Sequence, residues 1–205
     1  MSITTVICDL SEVLIPGIVG AESIIERRIG VPTSVFSTRW NQLNDDFCDV
    51  MRGRLGLQQF LENFVFHEDF DGVSPEYLDH LIQQNFLLDL EDSAFDIVSL
   101  LGEQYRLVLF SDHAQPWTGP IMAARPEIFE PFERIFFSHD LGMIKQDRLA
   151  FPKVLSMLPA KPENCLFIDD NMRNIHAAIK TGMSTILFGS SALLQAELEL
   201  RGVFQ

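Results

Sequence analysis

Two rhythms alternate along this chain. Short apolar runs recur at Val6-Ile7-Cys8, Arg106-Leu107-Val108-Leu109-Phe110, Arg134-Ile135-Phe136-Phe137, Asn164-Cys165-Leu166-Phe167-Ile168 and Thr185-Ile186-Leu187-Phe188. They are rich in β-branched and aromatic residues and do not alternate with polar ones. That pattern suits parallel strands covered on both faces. Between them the apolar positions fall at helical spacing: Phe95 to Leu101, Asp147 to Leu158, Asn174 to Lys180 and Leu193 to Leu200. Gly182 is placed to end the third of these segments. Strands alternating with helices predict βα units, a parallel sheet and a three-layer, Rossmann-like α/β fold.

One stretch departs from this alternation. From about Ala21 to Gln84 the pattern is helical throughout. Ile24, Ile25 and Ile29 predict a first helix, ended by Gly30-Val31-Pro32. Val35, Phe36, Trp40, Leu43 and Phe47 predict a second, and Leu57, Phe60, Leu61, Phe64 and Val65 a third. Ser74-Pro75 opens a fourth, with serine as the N-cap and proline at the first helical position. The expected organisation is a core of residues 1–15 and 93–205, with an all-helical insertion over 16–92 after the first strand. The aromatics Trp40, Phe47, Phe60, Phe64 and Phe66 are expected to form the core of that insertion. A segment of Pro116, Pro120, Pro126 and Pro131 is expected to be a loop or short helix.

Composition narrows the function classes. A net charge of −14 argues against unspecific nucleic-acid binding, which needs a basic footprint. Cys8, Cys48 and Cys165 lie far apart, so neither a zinc site nor a disulfide framework is predicted. A reducing, cytoplasmic setting follows as the economical expectation. No signal peptide or membrane-spanning run is evident in the pattern. A monomer and a homodimer are equally compatible with the composition.

Candidate chemistry sits where the strands stop. Asp9 follows the first strand, Ser111 the second and Asp169-Asp170 the fourth, while Lys145 lies in the loop after the third. Singly, each has an ordinary reading: a turn residue, a capping hydroxyl, a solvated lysine, a helix N-cap pair. In a parallel sheet, however, the carboxyl ends of the strands share one edge, where ligands bind. Carboxylates, a hydroxyl and a lysine converging there make a site for a hard cation and a phosphate.

These segments resemble a known family. Asp9-Leu10-Ser11-Glu12-Val13-Leu14, Leu107-Val108-Leu109-Phe110-Ser111-Asp112, Gly142-Met143-Ile144-Lys145 and Phe167-Ile168-Asp169-Asp170-Asn171 follow the order of the four motifs of the haloacid dehalogenase-like hydrolases. The Asn174-Ile175-His176-Ala177-Ala178 segment looks similar too, and the helical insertion matches the family's cap domain. Ser138-His139-Asp140-Leu141-Gly142-Met143 resembles the small sugar-phosphate phosphatases, including the glucose-1-phosphate group.

The resemblance implies a magnesium-dependent phosphatase for a small phosphorylated metabolite. Asp9 would be the nucleophile, forming an aspartyl-phosphate. Ser111 would hold a phosphoryl oxygen, helped by the backbone N–H of Asp112, and Lys145 would stabilise the accumulating charge. Magnesium would be held by Asp9, the backbone carbonyl of Ser11 and Asp170, with Asp169 behind them orienting Lys145 or a metal-bound water. His113 is expected beside the phosphate, as a phosphate- or substrate-binding residue on the rim of the site rather than a catalytic one. Arg39, Arg52 and Arg54 of the insertion are candidates to reach an anionic substrate, although solvated arginines are the default.

One position departs from the family pattern. Ser11 stands where these phosphatases usually carry a second Asp, the group that protonates the leaving oxygen. Three outcomes follow. Glu12 or His113 takes the proton; the substrate has a good leaving group; or the protein binds phosphate ligands with little turnover. A metal-independent 2-haloacid dehalogenase is a further alternative, disfavoured by Asp169-Asp170.

Overall fold

The computed structural model describes residues 2–204; the end residues 1 and 205 of the expected core lie outside them. Five parallel strands form the sheet among these residues. They are β1 (Thr5–Cys8), β2 (Arg106–Ser111), β3 (Arg134–Phe137), β4 (Cys165–Asp169) and β5 (Ser184–Leu187), in the spatial order β3-β2-β1-β4-β5. β1 is therefore central. Side chains alternate across the sheet with period two. Val6, Cys8, Leu107, Leu109, Leu166 and Ile168 enter one core, while Ile7, Val108, Phe110, Cys165 and Phe167 enter the other. Both faces are covered, which is why the strands read as continuous apolar runs.

The second face is covered by α10 (Ala150–Ser156) and α11 (Met172–Ile179), through Phe151, Val154, Leu155, Ile175 and Ala178. The first face carries α6 (Phe95–Leu101), α7 (Gln115–Ala124), α8 (Pro126–Phe129) and α12 (Ser191–Leu200). A short α9 (Ser138–Leu141) follows β3 directly. Between β1 and β2 lie α1 (Ile18–Ile29), α2 (Thr33–Gln42), α3 (Asn44–Met51), α4 (Leu57–Val65) and α5 (Pro75–Phe86), with no strand among them. No helix among the described residues is long and apolar enough to cross a membrane.

The insertion has its own aromatic core. Trp40 meets Phe36, Phe47, Phe60 and Phe64 at ring-centroid distances of 4.5–5.5 Å. Phe66 does not join it. It sits at the C-terminal cap of α4 with 87% of its surface exposed, and Phe70 takes the buried place beside Phe64 at 5.2 Å. The expected second helix is two helices. Leu43, at φ −105° and ψ 17°, closes α2 and opens α3, whose first turn carries Asp45 and Asp46 where the helix dipole favours acids.

Two further differences have local causes. The proline-rich segment contains a regular helix, α7. Pro116 falls in its first turn, where an N–H is unneeded, and Pro120 removes one bond inside the helix while Trp117 and Ile121 anchor the buried face. The helix expected from Asp147 begins at Ala150, because the Asp147 carboxylate is turned back to accept the Ile144 N–H at 3.0 Å. Ser74 caps α5 as expected, accepting the Tyr77 N–H at 3.2 Å.

Phe64 touches Phe36, Trp40, Phe60 and Phe70 and is fully buried. Phe64→Ala is expected to destabilise the protein by about 3–5 kcal/mol. Chemical denaturation monitored by fluorescence checks this.

Candidate active site

Strand register builds the site. Cys8 pairs with Leu109 on one side and Ile168 on the other, so Asp9 and Asp169 come level at the carboxyl edge. The Asp9 N–H donates to the Ile168 carbonyl at 3.0 Å, extending the ladder by one residue. Ser111 ends β2 on the other flank of β1. Lys145 arrives from the turn after α9, where Gly142 takes φ 69°, a left-handed conformation that L side chains rarely adopt.

The lysine is the centre of the arrangement. Its Nζ lies 2.5 Å from Asp9 Oδ1 and 2.8 Å from Asp169 Oδ2, with 1% of the side chain exposed. The Lys145 backbone N–H donates to both oxygens of Asp112, at 3.0 and 3.2 Å. The sequence pointed to the Asp112 backbone; its carboxylate has a separate role, carrying the lysine loop. Asp169 is held from behind by the Asn171 N–H at 2.8 Å and by Asn174 Nδ2 at 3.1 and 3.2 Å. Asn174 was given no role from sequence. Its placement five residues after Asp169, on the first turn of a helix, was the available signal.

Negative charge exceeds positive charge here. Burial, opposed by the nearby Lys145, holds the Asp9 carboxyl well above the usual carboxylate range, and Asp169 adds to the rise. Asp170 is pushed up to about 6 by burial and then by Asp169. Asp112 is also pushed up to about 6, chiefly by burial. For Lys145, burial opposes the charge, but Asp169, Asp9 and Asp112 together hold the ammonium charged far above its ordinary range. One ammonium thus faces four carboxyl groups.

Those carboxyls suit a hard cation. Asp9, Asp169 and Asp170 each offer an oxygen, all within 4.8 Å of one another. The Asp169 oxygens already accept from Lys145, Asn171 and Asn174, whereas Asp170 is exposed. An all-oxygen set with few carboxylates fits magnesium, whose remaining ligands are water and phosphate. The Ser111 hydroxyl adds a second mark of a ligand site. It is fully buried with no hydrogen-bond partner, as are the Thr5 and Ser99 hydroxyls elsewhere, but Ser111 alone of these three ends a strand at the carboxyl edge.

Neither group considered as a replacement acid at Ser11 is set for that role: Glu12 is bonded elsewhere, and His113 is enclosed with its Nε2 unpartnered. Glu12 has φ 59°, unusual for a non-glycine residue, and its Oε1 accepts the Gly17 N–H at 2.8 Å. His113 lies in the wall between α5 and α7 rather than on a rim, 5.1 Å from Phe86 and 6.0 Å from Trp117 by ring centroid. Burial pushes its imidazole down to about 3, so it is neutral at physiological pH. The His113 backbone N–H donates to Ser138 Oγ at 3.0 Å. Of the three arginines, Arg39 holds the Asn63 and Phe64 carbonyls and Arg52 pairs with Asp147, while Arg54 remains 60% exposed.

A parallel-sheet hydrolase with a carboxylate–lysine centre at its carboxyl edge and a helical layer after β1 is the class these features define. The chain belongs to the haloacid dehalogenase-like hydrolases, whose family description matches residues 3–182. Among solved structures it is similar to a HAD family enzyme from Bacteroides thetaiotaomicron, in complex with magnesium and inorganic phosphate. The TM-score is 0.71 at 22% identity, covering 92% of this chain and 96% of that one. It is also similar to the L-2-haloacid dehalogenase of Xanthobacter autotrophicus with chloropropionic acid covalently bound, with a TM-score of 0.67 at 16% identity over 99% and 85% of the two chains. At these identities the likeness shows the fold. Curated relatives include a drimenol cyclase of Aspergillus calidoustus, 31% identical over 78 residues, and bifunctional epoxide hydrolase 2 of Rattus norvegicus, 37% identical over 73 residues. Those matches take in 38% and 36% of this chain and only 15% and 13% of the relatives.

The His113 shift has a signed consequence. An unfolded histidine titrates near 6.5 and the folded one near 3, so the stability it contributes is complete above about 6.5 and is lost as pH falls toward 3. Asp112 and Asp170 act in the opposite direction, since their raised values favour the protonated form in the fold. His113→Gln should therefore remove a loss on the order of a few kcal/mol between about pH 6.5 and 3. Urea unfolding of both proteins at successive pH values gives the difference directly.

Proposed function

We propose that the protein is a magnesium-dependent phosphomonoesterase acting on a small phosphorylated metabolite, with residues 16–92 as a cap over a core of 1–15 and 93–205. The observation carrying this reading is the Asp9–Lys145–Asp169 triad beside Asp170 and the unpartnered Ser111 hydroxyl. Asp9 attacks phosphorus, the ester oxygen leaves, and an aspartyl-phosphate forms; water then releases inorganic phosphate and restores Asp9. Ser111 donates to a phosphoryl oxygen, and Lys145 neutralises charge that grows in the transition state. Asp9, the Ser11 carbonyl and Asp170 would hold the magnesium, which supplies positive charge against the phosphate oxygens. Asp9 is only 6% exposed, so substrate reaches it when the cap moves aside.

Ser11 shapes the substrate class. With Glu12 engaged at Gly17 and His113 neutral, little acid assistance reaches the leaving oxygen. Substrates with acidic leaving groups are favoured, such as anomeric sugar phosphates, whose hemiacetal oxygen leaves more readily than an ordinary alcohol. The same residue supports a second reading, a phospho-ligand binding protein with little turnover. The acidic pair at Asp169 and Asp170 counts against a metal-independent dehalogenase.

Phosphate release from esters of graded leaving-group acidity tests the proposal. Rates should fall steeply as the leaving group becomes less acidic, and Asp9→Asn or a chelator should abolish release. Ser11→Asp is expected to raise the rate on poor leaving groups by about 10²-fold. Asp170→Asn should also erase the thermal stabilisation given by magnesium. A folded, magnesium-supplied protein that releases phosphate from none of the esters refutes the phosphatase reading; stabilisation by phosphate esters without turnover favours the binding protein.

A further inference from the structure

Two consecutive residues of the helical insertion are bonded to the core edge that carries the site. The Met51 carbonyl accepts the Ser138 hydroxyl at 2.6 Å, and the same hydroxyl accepts the His113 N–H. Next to it, Arg52 caps the C-terminus of α3 and grips Asp147 with two parallel bonds, Nε to Oδ2 at 2.9 Å and Nη2 to Oδ1 at 2.8 Å. Gly53 follows with φ 71°, a left-handed conformation that favours glycine.

Asp147 is not a passive partner. Its Oδ2 accepts the Ile144 N–H at 3.0 Å and its own N–H donates to the Ile144 carbonyl at 2.9 Å. These bonds close the loop 144–147 on itself, with Lys145 inside it. On the other side the Lys145 N–H rests on Asp112. The lysine is therefore braced by one group of the core and, through Asp147, by one group of the insertion. The Arg52–Asp147 pair is largely shielded, with 17% and 29% of the two side chains exposed. Bidentate guanidinium–carboxylate pairing adds geometric definition that a point charge lacks. Asp49 receives the remaining Arg52 nitrogen at 3.2 Å, which keeps the guanidinium oriented.

We infer that Arg52 is a positioning residue whose ion pair with Asp147 couples closure of the helical insertion to placement of the Lys145 ammonium. When the insertion lifts, Asp147 loses Arg52 and keeps only its bonds within the loop, so Lys145 is fully set only in the closed form. The catalytic arm of this inference rests on the phosphatase reading above; the structural arm does not.

The test uses the full chain as wild type, Arg52→Gln, Arg52→Lys, Asp147→Asn and the Arg52→Gln/Asp147→Asn double variant. Amide hydrogen exchange at Ile144 and Lys145 should quicken in Arg52→Gln and Asp147→Asn. On a phosphate ester that the wild type turns over, kcat should fall about 10-fold in both with KM changed by less than about twofold. Arg52→Lys should fall between wild type and Arg52→Gln, and the double variant should be no worse than the more affected single one. Unchanged exchange at 144–145 overturns the inference, as does a loss confined to KM or single losses that multiply in the double variant. Exchange needs no substrate. A wild type without turnover therefore counts against the phosphatase reading, and the exchange data alone then decide the coupling.

Discussion

A buried ammonium between two carboxylates is the interaction on which the site depends. Lys145 reaches Asp9 and Asp169 from a loop that is not part of either strand, and almost none of it meets water. A charge so placed is tolerable only when paired, since uncompensated burial costs several kcal/mol. The pairing in turn holds the Asp9 carboxylate at the end of the central strand. Asn174, Asn171 and Asp112 then add further hydrogen bonds around the triad. Removing any of these supports leaves a charged or polar group buried without its partner, which links the packing of the loops to the chemistry of the edge.

The sheet supplies the register that makes this economical. β1 is flanked by β2 and β4, so the residues just past all three ends meet without long reaches. Excess negative charge is the other side of the same design. Asp9, Asp112 and Asp170 are all pushed toward protonation, a condition that a bound cation would relieve. The helical insertion is bonded to this edge through Met51 and Arg52, and Asp9 beneath is only 6% exposed.

The insertion also reveals how selectively the chain uses its charged groups. Arg39 closes the aromatic core of the insertion on its own carbonyls, and Arg52 is spent on the lysine loop. Neither is left for a substrate. Under the proposed phosphatase the Ser11 position follows the same logic: a backbone carbonyl could hold a metal whatever the side chain, whereas proton transfer would need an acidic one.

The strands, their parallel arrangement, the helical insertion and the residues at the strand ends could all be read from local pattern. Apolar runs and helical spacing record burial residue by residue, and Asp9, Ser111, Lys145 and Asp169-Asp170 each sit at a run's end. The breaks within that pattern were less visible. Leu43 divides one apolar rhythm into two helices, Phe66 belongs by spacing to a core it does not enter, and a proline-rich stretch forms a helix because Trp117 and Ile121 reward it with burial. Pairings between distant residues left no local trace at all. Arg52 with Asp147, Asn174 with Asp169, and the enclosure of His113 by Phe86 and Trp117 each join segments whose approach depends on the folding of everything between them. Spacing along a chain reports which face a residue takes; which partner waits on that face is decided by packing in three dimensions.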